Sequence, residues 1–290
     1  MGRKQALSLI LCASLAACSS GPRRIVVGSK NFTEQIVLGE IAAAQIERKL
    51  GLPVDRKLNL GGTLLAHQAL ASGPIDLYPE YTGTALTAIL KHQPSNNPTH
   101  VFEHVSNEYA QRWHLRWLPP LGFNDTFAMV VRGNTARSSR LVTISDAARQ
   151  RSPWKLGVGY EFLQRPDGLN GLVAAYNLRV NGQPVSMDLG LLYRALEGRQ
   201  VDMVAANATD GQLGLLDVAV LTDDRHYFPP YQCAFVARES VLAAHPGLDA
   251  ALRELSGKIS DAEMRRLNHE VEGKHRSPAE VAAEFVGSLR

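Results

Sequence analysis

Apolar positions along this chain follow two spacings: short unbroken runs suited to buried strands, and longer stretches with a helical repeat. Ile25-Val26-Val27-Gly28 is a run of the first kind and reads as a strand. It opens into a helix with Val37, Leu38, Ile41, Ala42 and Ile46 on one face, Asn31 and Glu34 at capping-box spacing, and a stop near Leu50-Gly51. A second strand is predicted from Val54 to Leu60, then a helix from Leu64 to Ala71 behind Gly61-Gly62-Thr63. Ser72-Gly73-Pro74 breaks that helix, and a third strand begins at Ile75-Asp76-Leu77. The middle repeats the theme, with strand Lys155 to Gly159, helices Leu169 to Leu178 and Leu191 to Leu196, and strands Val201 to Ala205 and Val218 to Leu221. The tail is helical over Ser240 to Ala244, Leu248 to Leu255, Asp261 to Leu267 and Pro278 to Leu289, the last opened by a capping box at Ser277-Pro278-Ala279-Glu280. Strands alternating with helices in this way define an α/β protein with mainly parallel sheets.

One segment of the pattern recurs. Gly62 to Thr84 reads helix, glycine, strand Ile75-Asp76-Leu77, then a loop with Tyr81-Thr82-Gly83; Gly190 to Gly211 reads helix, Gly198, strand Val201-Asp202-Met203, then a loop with Asn207 and Thr209-Asp210-Gly211. Five residues beyond each aspartate stand Tyr81 and Asn207. Two α/β lobes built alike would turn these strand ends toward one cleft, because ligands of open α/β sheets sit beyond the carboxyl ends of strands. A coincidence between two helix-strand units is the alternative. Asp76 and Asp202 read as turn or cap acceptors that shape the loops.

The first residues change the picture. Gly2-Arg3-Lys4 followed by the apolar stretch Ala6 to Ala17 has the form of a secretion signal, too short to span a bilayer comfortably. It ends in Leu15-Ala16-Ala17-Cys18, which resembles a bacterial lipobox. Residues 1–17 are thus expected to be a lipoprotein signal peptide, Cys18 the lipidated residue and residues 18–24 a tether, with the body in the periplasm or on the cell surface. Without Arg3 and Lys4 the chain has 29 basic against 28 acidic side chains. A near-neutral body lacks the basic face that nucleic acid requires. Cys233 is the single thiol left after Cys12 and Cys18, so neither an internal disulfide nor a paired-cysteine metal or redox site is available.

Phosphate-loop, dinucleotide-loop, nucleophile-elbow and zinc-protease motifs are missing, and the nine histidines are scattered without metal-ligand spacing. No catalytic residue, cofactor or metal is expected. What stands out is aromatic and cationic residues near strand ends: Lys30, Tyr81, Thr84, Phe123, Phe127, Arg165 and Tyr231. A quaternary ammonium donates no hydrogen bond and is held by ring faces. A carboxylate at the ligand's far end needs Arg, Lys and hydroxyl donors. Both sets are present.

These residues lie in motifs that resemble the substrate-binding proteins of osmoprotectant ABC importers, which take up glycine betaine, choline, carnitine or proline betaine. The motifs are Gly28-Ser29-Lys30-Asn31-Phe32-Thr33-Glu34, Asp76-Leu77-Tyr78-Pro79-Glu80-Tyr81-Thr82-Gly83-Thr84, Phe123-Asn124-Asp125-Thr126-Phe127, Thr209-Asp210-Gly211, Phe228-Pro229-Pro230-Tyr231 and Leu267-Asn268 with Val271. The resemblance implies a two-lobe periplasmic-binding-protein type II fold with two hinge crossings, lobe 1 comprising residues 25–127 and 228–290 and lobe 2 residues 128–227. It implies a ligand site of Lys30, Tyr81, Thr84, Phe127, Arg165, Asn207 and Tyr231. In it Tyr81, Phe127 and Tyr231 would wall the ammonium, and Lys30, Thr84 and Arg165 would hold a carboxylate. Asn207 stands where many members have a cage tyrosine, which leaves room and an amide for a larger betaine such as ergothioneine; Phe123, Tyr160 and Tyr227 are the candidates to replace the lost ring. The implied partners are the small ligand, an ABC permease with its ATPase, and the membrane through the lipid, for a monomer without enzymatic activity. An enzyme on the same scaffold would need Cys233 or another nucleophile in the cleft. A sensor lobe reporting ligand to a partner is a third reading.

Overall fold

The computed structural model describes residues 24–289, so the expected signal peptide, the expected lipidation site Cys18 and most of the expected tether lie outside the described residues. Among the described residues ten strands form two five-stranded sheets. The first contains β1 (Ile25–Gly28), β2 (Val54–Lys57), β3 (Leu77–Tyr81), β4 (Leu115–Trp117) and β10 (Cys233–Arg238), in the order β2-β1-β3-β10-β4. The second contains β5 (Phe127–Arg132), β6 (Leu156–Val158), β7 (Val185–Ser186), β8 (Met203–Asn207) and β9 (Val218–Leu221), in the order β7-β6-β8-β5-β9. In each sheet the three strands on one side are parallel and the fourth is antiparallel to both neighbours. The two orders correspond strand for strand, and β3 corresponds to β8. The repeat read from the sequence therefore falls on equivalent strands: Tyr81 ends β3 opposite Cys233, and Asn207 ends β8 opposite Phe127.

Both strands lie about two residues further along than the pattern predicts, so Tyr81 and Asn207 are strand residues instead of loop residues. The aspartates ahead of them brace the sheet. Asp76 Oδ2 accepts from the Val26 amide at 2.9 Å, and Asp202 Oδ1 accepts from Arg132 at 2.7 Å. A side chain at a strand end is held more firmly than one on a loop.

The chain crosses from the first sheet to the second between β4 and β5 and returns between β9 and β10. The crossings run side by side: Asn124 bridges Gln232, the Asp125 amide donates to the Tyr231 carbonyl at 3.2 Å, and the Tyr231 amide donates to Asn124 Oδ1 at 2.7 Å. The first crossing ends at Thr126, since Phe127 to Val130 already belong to β5.

Helix α1 (Thr33–Leu50) covers the first sheet with the predicted apolar face and stops at Gly51 in the left-handed conformation. The predicted capping box is absent: Phe32 is the cap residue, and Glu34 turns its carboxyl inward instead. Ser277 likewise caps the last helix without a side-chain bond. The pattern reading also passed over helix Pro98–Trp113, whose face of Val101, Val105 and Tyr109 packs on the first sheet's outer side, where His67 is a packing partner edge-on to Trp113 at 4.4 Å. Cys233 is fully buried, and burial pushes its thiol well above the usual range, so it is inert.

Candidate functional site

Between the sheets lies a cleft of about 500 Å³, within the range of small-molecule sites. All seven expected residues line it: Lys30, Tyr81, Thr84, Phe127, Arg165, Asn207 and Tyr231. β1 delivers Lys30, β3 delivers Tyr81 and, a turn later, Thr84; β5 begins with Phe127, β8 ends with Asn207, and Tyr231 lies on the return crossing. Gly83 makes room for Tyr231, because a Cβ there would lie 2.8 Å from its ring.

The rings fall into two groups. Phe32 stacks on Tyr81 with centroids 6.3 Å apart, and Phe127 meets Phe162 at 4.8 Å, Phe228 at 5.6 Å and Tyr231 at 5.7 Å. The protein's own cations already lie over these faces: Lys30 Nζ 5.0 Å from the Tyr81 centroid, Arg165 5.3 Å from Phe127 and 5.5 Å from Tyr231. Of the three residues considered as replacements for a ring at 207, Tyr160 lines the cleft, whereas Phe123 is buried in the core and Tyr227 packs edge-on against Phe228 outside it.

Both basic residues have internal counter-charges that the sequence reading missed. Lys30 Nζ is 2.5 Å from Glu80 Oε1, and Glu80 also accepts from the Tyr78 hydroxyl and the Tyr81 amide, each at 2.7 Å. Arg165 forks onto Asp167 at 2.9 and 2.6 Å and reaches the Thr84 hydroxyl with its other terminal nitrogen at 2.9 Å. Tyr231 and Thr87 also donate to Asp167. Burial pushes the Asp167 carboxyl up, but the bond and charge of Arg165 outweigh it and hold the group below the usual range. A ligand carboxylate would therefore meet one terminal nitrogen of Arg165 together with Thr84, not an open fork.

A second polar group was also missed. The Glu34 carboxylate accepts from Tyr81 and Thr209 hydroxyls at 2.7 and 2.5 Å and from Asn268 Nδ2 at 3.0 Å. Asp125 and Asp210 line the cleft beside it. Burial raises the Asp125 carboxyl well above its ordinary range, with the charge of Glu34 adding to the effect, and burial brings Asp210 to about 7. Glu34, Asp125, Thr209 and Asn268 all fall inside the motifs quoted above; their position there was the signal available.

The two sheets are joined across the cleft mouth. Glu161, from the second lobe, caps helix α2 (Thr63–Ser72) of the first, accepting from the Thr63 amide at 2.6 Å and hydroxyl at 3.0 Å. Arg165 on Thr84, Thr209 on Glu34 and Asn268 on the Thr209 carbonyl add further bonds across the opening, and the cleft is closed.

A closed, ring-lined cleft between two hinged α/β lobes defines a solute-binding protein. Residues 23–288 match the family described as the substrate binding domain of the ABC-type glycine betaine transport system, and the chain belongs to that family. It is 33% identical over 288 residues to the carnitine transport binding protein of Listeria monocytogenes, covering 96% of this chain and 93% of that one. It is 34% identical over 266 residues to an ergothioneine transport permease/ergothioneine binding protein of Helicobacter pylori, covering 91% of this chain and 47% of that longer protein. A crystal structure of a glycine betaine/carnitine/choline ABC transporter protein superimposes with a TM-score of 0.78 at 31% identity, covering 91% of this chain and 97% of that one. Membership makes this chain a transport substrate-binding protein and not an enzyme.

Proposed function

We propose that the cleft captures a compound with a trimethylammonium head and delivers it to a membrane permease driven by an ATPase. The observation that carries this reading is the convergence of Tyr81, Phe127 and Tyr231 on one opening, with cations already over all three faces. Ring faces attract a cation that cannot donate hydrogen bonds, and a desolvated cleft strengthens the attraction. Thr84 and the terminal nitrogen of Arg165 that reaches it orient a carboxylate, and Lys30 fixes the Tyr81 wall. We place the lobes at residues 25–127 with 228–290 and at residues 128–227, and the protein outside the cytoplasmic membrane as a monomer held by lipid on Cys18.

Ergothioneine is the second reading for the ligand. Asn207 leaves a gap where a ring would otherwise stand, and among the described residues no hydrogen bond engages its side chain, so the amide is available to a ligand with polar groups. The relationship to an ergothioneine-binding protein supports the same choice.

Calorimetry of the mature chain with glycine betaine, choline, carnitine, proline betaine and ergothioneine tests both readings; no heat from any of the five would end the ammonium reading. Tyr81→Ala is expected to weaken every cation that binds by about 0.5–2 kcal/mol from the lost ring alone. Arg165→Ala is expected to weaken carboxylated ligands far more than choline, and equal losses would remove its carboxylate role.

A further inference from the structure

Three residues from three parts of the chain meet at one hydroxyl. Thr209 Oγ1 lies 2.5 Å from Glu34 Oε2 and 2.7 Å from Asp125 Oδ1. A threonine hydroxyl has one proton to donate, so one of these contacts requires a proton on a carboxyl group. Glu34 is the stronger acceptor, since Tyr81 donates to its Oε1 at 2.7 Å and Asn268 to its Oε2 at 3.0 Å. Asp125 has only the Thr209 amide besides, at 3.4 Å. The proton therefore belongs on Asp125, which donates to Thr209, which donates to Glu34. Asp125 and Thr209 continue the β5–β8 ladder, where the Ala208 amide donates to the Thr126 carbonyl, whereas Glu34 sits on α1 of the first lobe, so the bond from Thr209 to Glu34, and with it the need for a proton on Asp125, exists only while the lobes are together.

We propose that Asp125, Thr209 and Glu34 form a one-proton latch: closing the empty cleft takes one proton from solvent onto Asp125, and the latch positions the Tyr81 ring through Glu34. Acid then favours the closed, ligand-free protein. Asn268 and Glu272 face this corner from helix Asp261–Glu272, Asp210 from the segment after β8, Tyr193 from helix Leu192–Glu197, Tyr81 from β3 and Cys233 from β10. The nearest base, Lys30, has its charge matched by Glu80. His269 faces Glu272 from the same helix and opposes the effect there, but burial prevails and raises the Asp125, Glu34, Asp210 and Glu272 carboxyls. Opening returns Asp125 to water and to an ordinary carboxylate value, so the closed state binds the proton more tightly. The bias toward closure grows as pH falls through the closed-state value and is complete below the open-state one.

Small-angle scattering of the ligand-free chain between about pH 8 and about pH 5 reads this directly, because one proton limits the change in the closed-to-open ratio to about tenfold per pH unit. The wild-type radius of gyration should shrink on acidification. Asp125→Asn, whose amide donates to Thr209 without titrating, should be compact already at about pH 8 and lose most of the response, leaving the smaller part that buried Asp210 contributes; Glu34→Gln, the second variant, should lose the same part, and Asp210→Asn should keep it. A wild-type curve without pH dependence, an undiminished response in Asp125→Asn, or loss of the response in Asp210→Asn alone would overturn the latch. The proposal rests on the closing cleft of the binding reading but uses no ligand, so a negative ligand panel and a negative scattering result are separate failures.

Discussion

Glu80→Ala is expected to cost about 3–5 kcal/mol of folding stability, the range for removing one partner of a buried ion pair. Glu80 is fully buried and Lys30 is 3% exposed, so the substitution leaves an ammonium inside the first lobe without its counter-charge. It also releases the Tyr78 hydroxyl and the Tyr81 amide. Because that amide fixes the end of β3, ligand affinity should fall with stability. Glu80→Gln should be milder, since its carbonyl can still accept one of the three bonds. Urea unfolding checks the order. A loss below about 1 kcal/mol, the size of an exposed pair's contribution, would mean that Lys30 turns to water in the cleft.

Gly211→Ala should separate binding from folding. A Cβ at this position would stand 2.5 Å from the His269 backbone nitrogen and 2.8 Å from its Cα. Gly211 follows β8 in the second lobe, whereas His269 belongs to helix Asp261–Glu272, which packs on α1 in the first. The clash arises only when the lobes meet, and helix backbone cannot step aside as a flexible side chain can. Overpacking of this kind costs about 1–3 kcal/mol, which on the closed state alone is about 5–150-fold in ligand affinity. Unfolding of the ligand-free variant should match the parent. Unchanged affinity would show that the lobes close in another register.

The expected result for Gly211 could not have come from the sequence, where Gly211 is only the end of a Thr-Asp-Gly motif. The strands β1, β3, β6 and β8 and helix α1 were legible because buried parallel strands are nearly all apolar and α1 has a clear face, whereas β4, β5, β7 and helix Pro98–Trp113 were passed over. The correspondence of Tyr81 with Asn207 was legible because both copies retain an aspartate at the strand start. The counter-ions Glu80 and Asp167 were not: a carboxylate next to Tyr81 or two residues after Arg165 has the same letters whether it faces solvent or the neighbouring base. Glu34 shows the limit most clearly. Its spacing from Asn31 satisfies a capping box, yet Tyr81, Thr209 and Asn268, from distant parts of the chain, offer it three donors in a dry site, and the local bond loses.

The matching sheets have unequal freedom at their tips. Tyr81 is tied through its hydroxyl to Glu34 and through its amide to Glu80, so exchange there disturbs both jaws. Asn207 ends the equivalent strand with its side chain untethered, while Met203 to Ala206 behind it are buried. Inheritable drift in what such a molecule retains is thereby channelled to one jaw: position 207 can be rewritten without unseating the other.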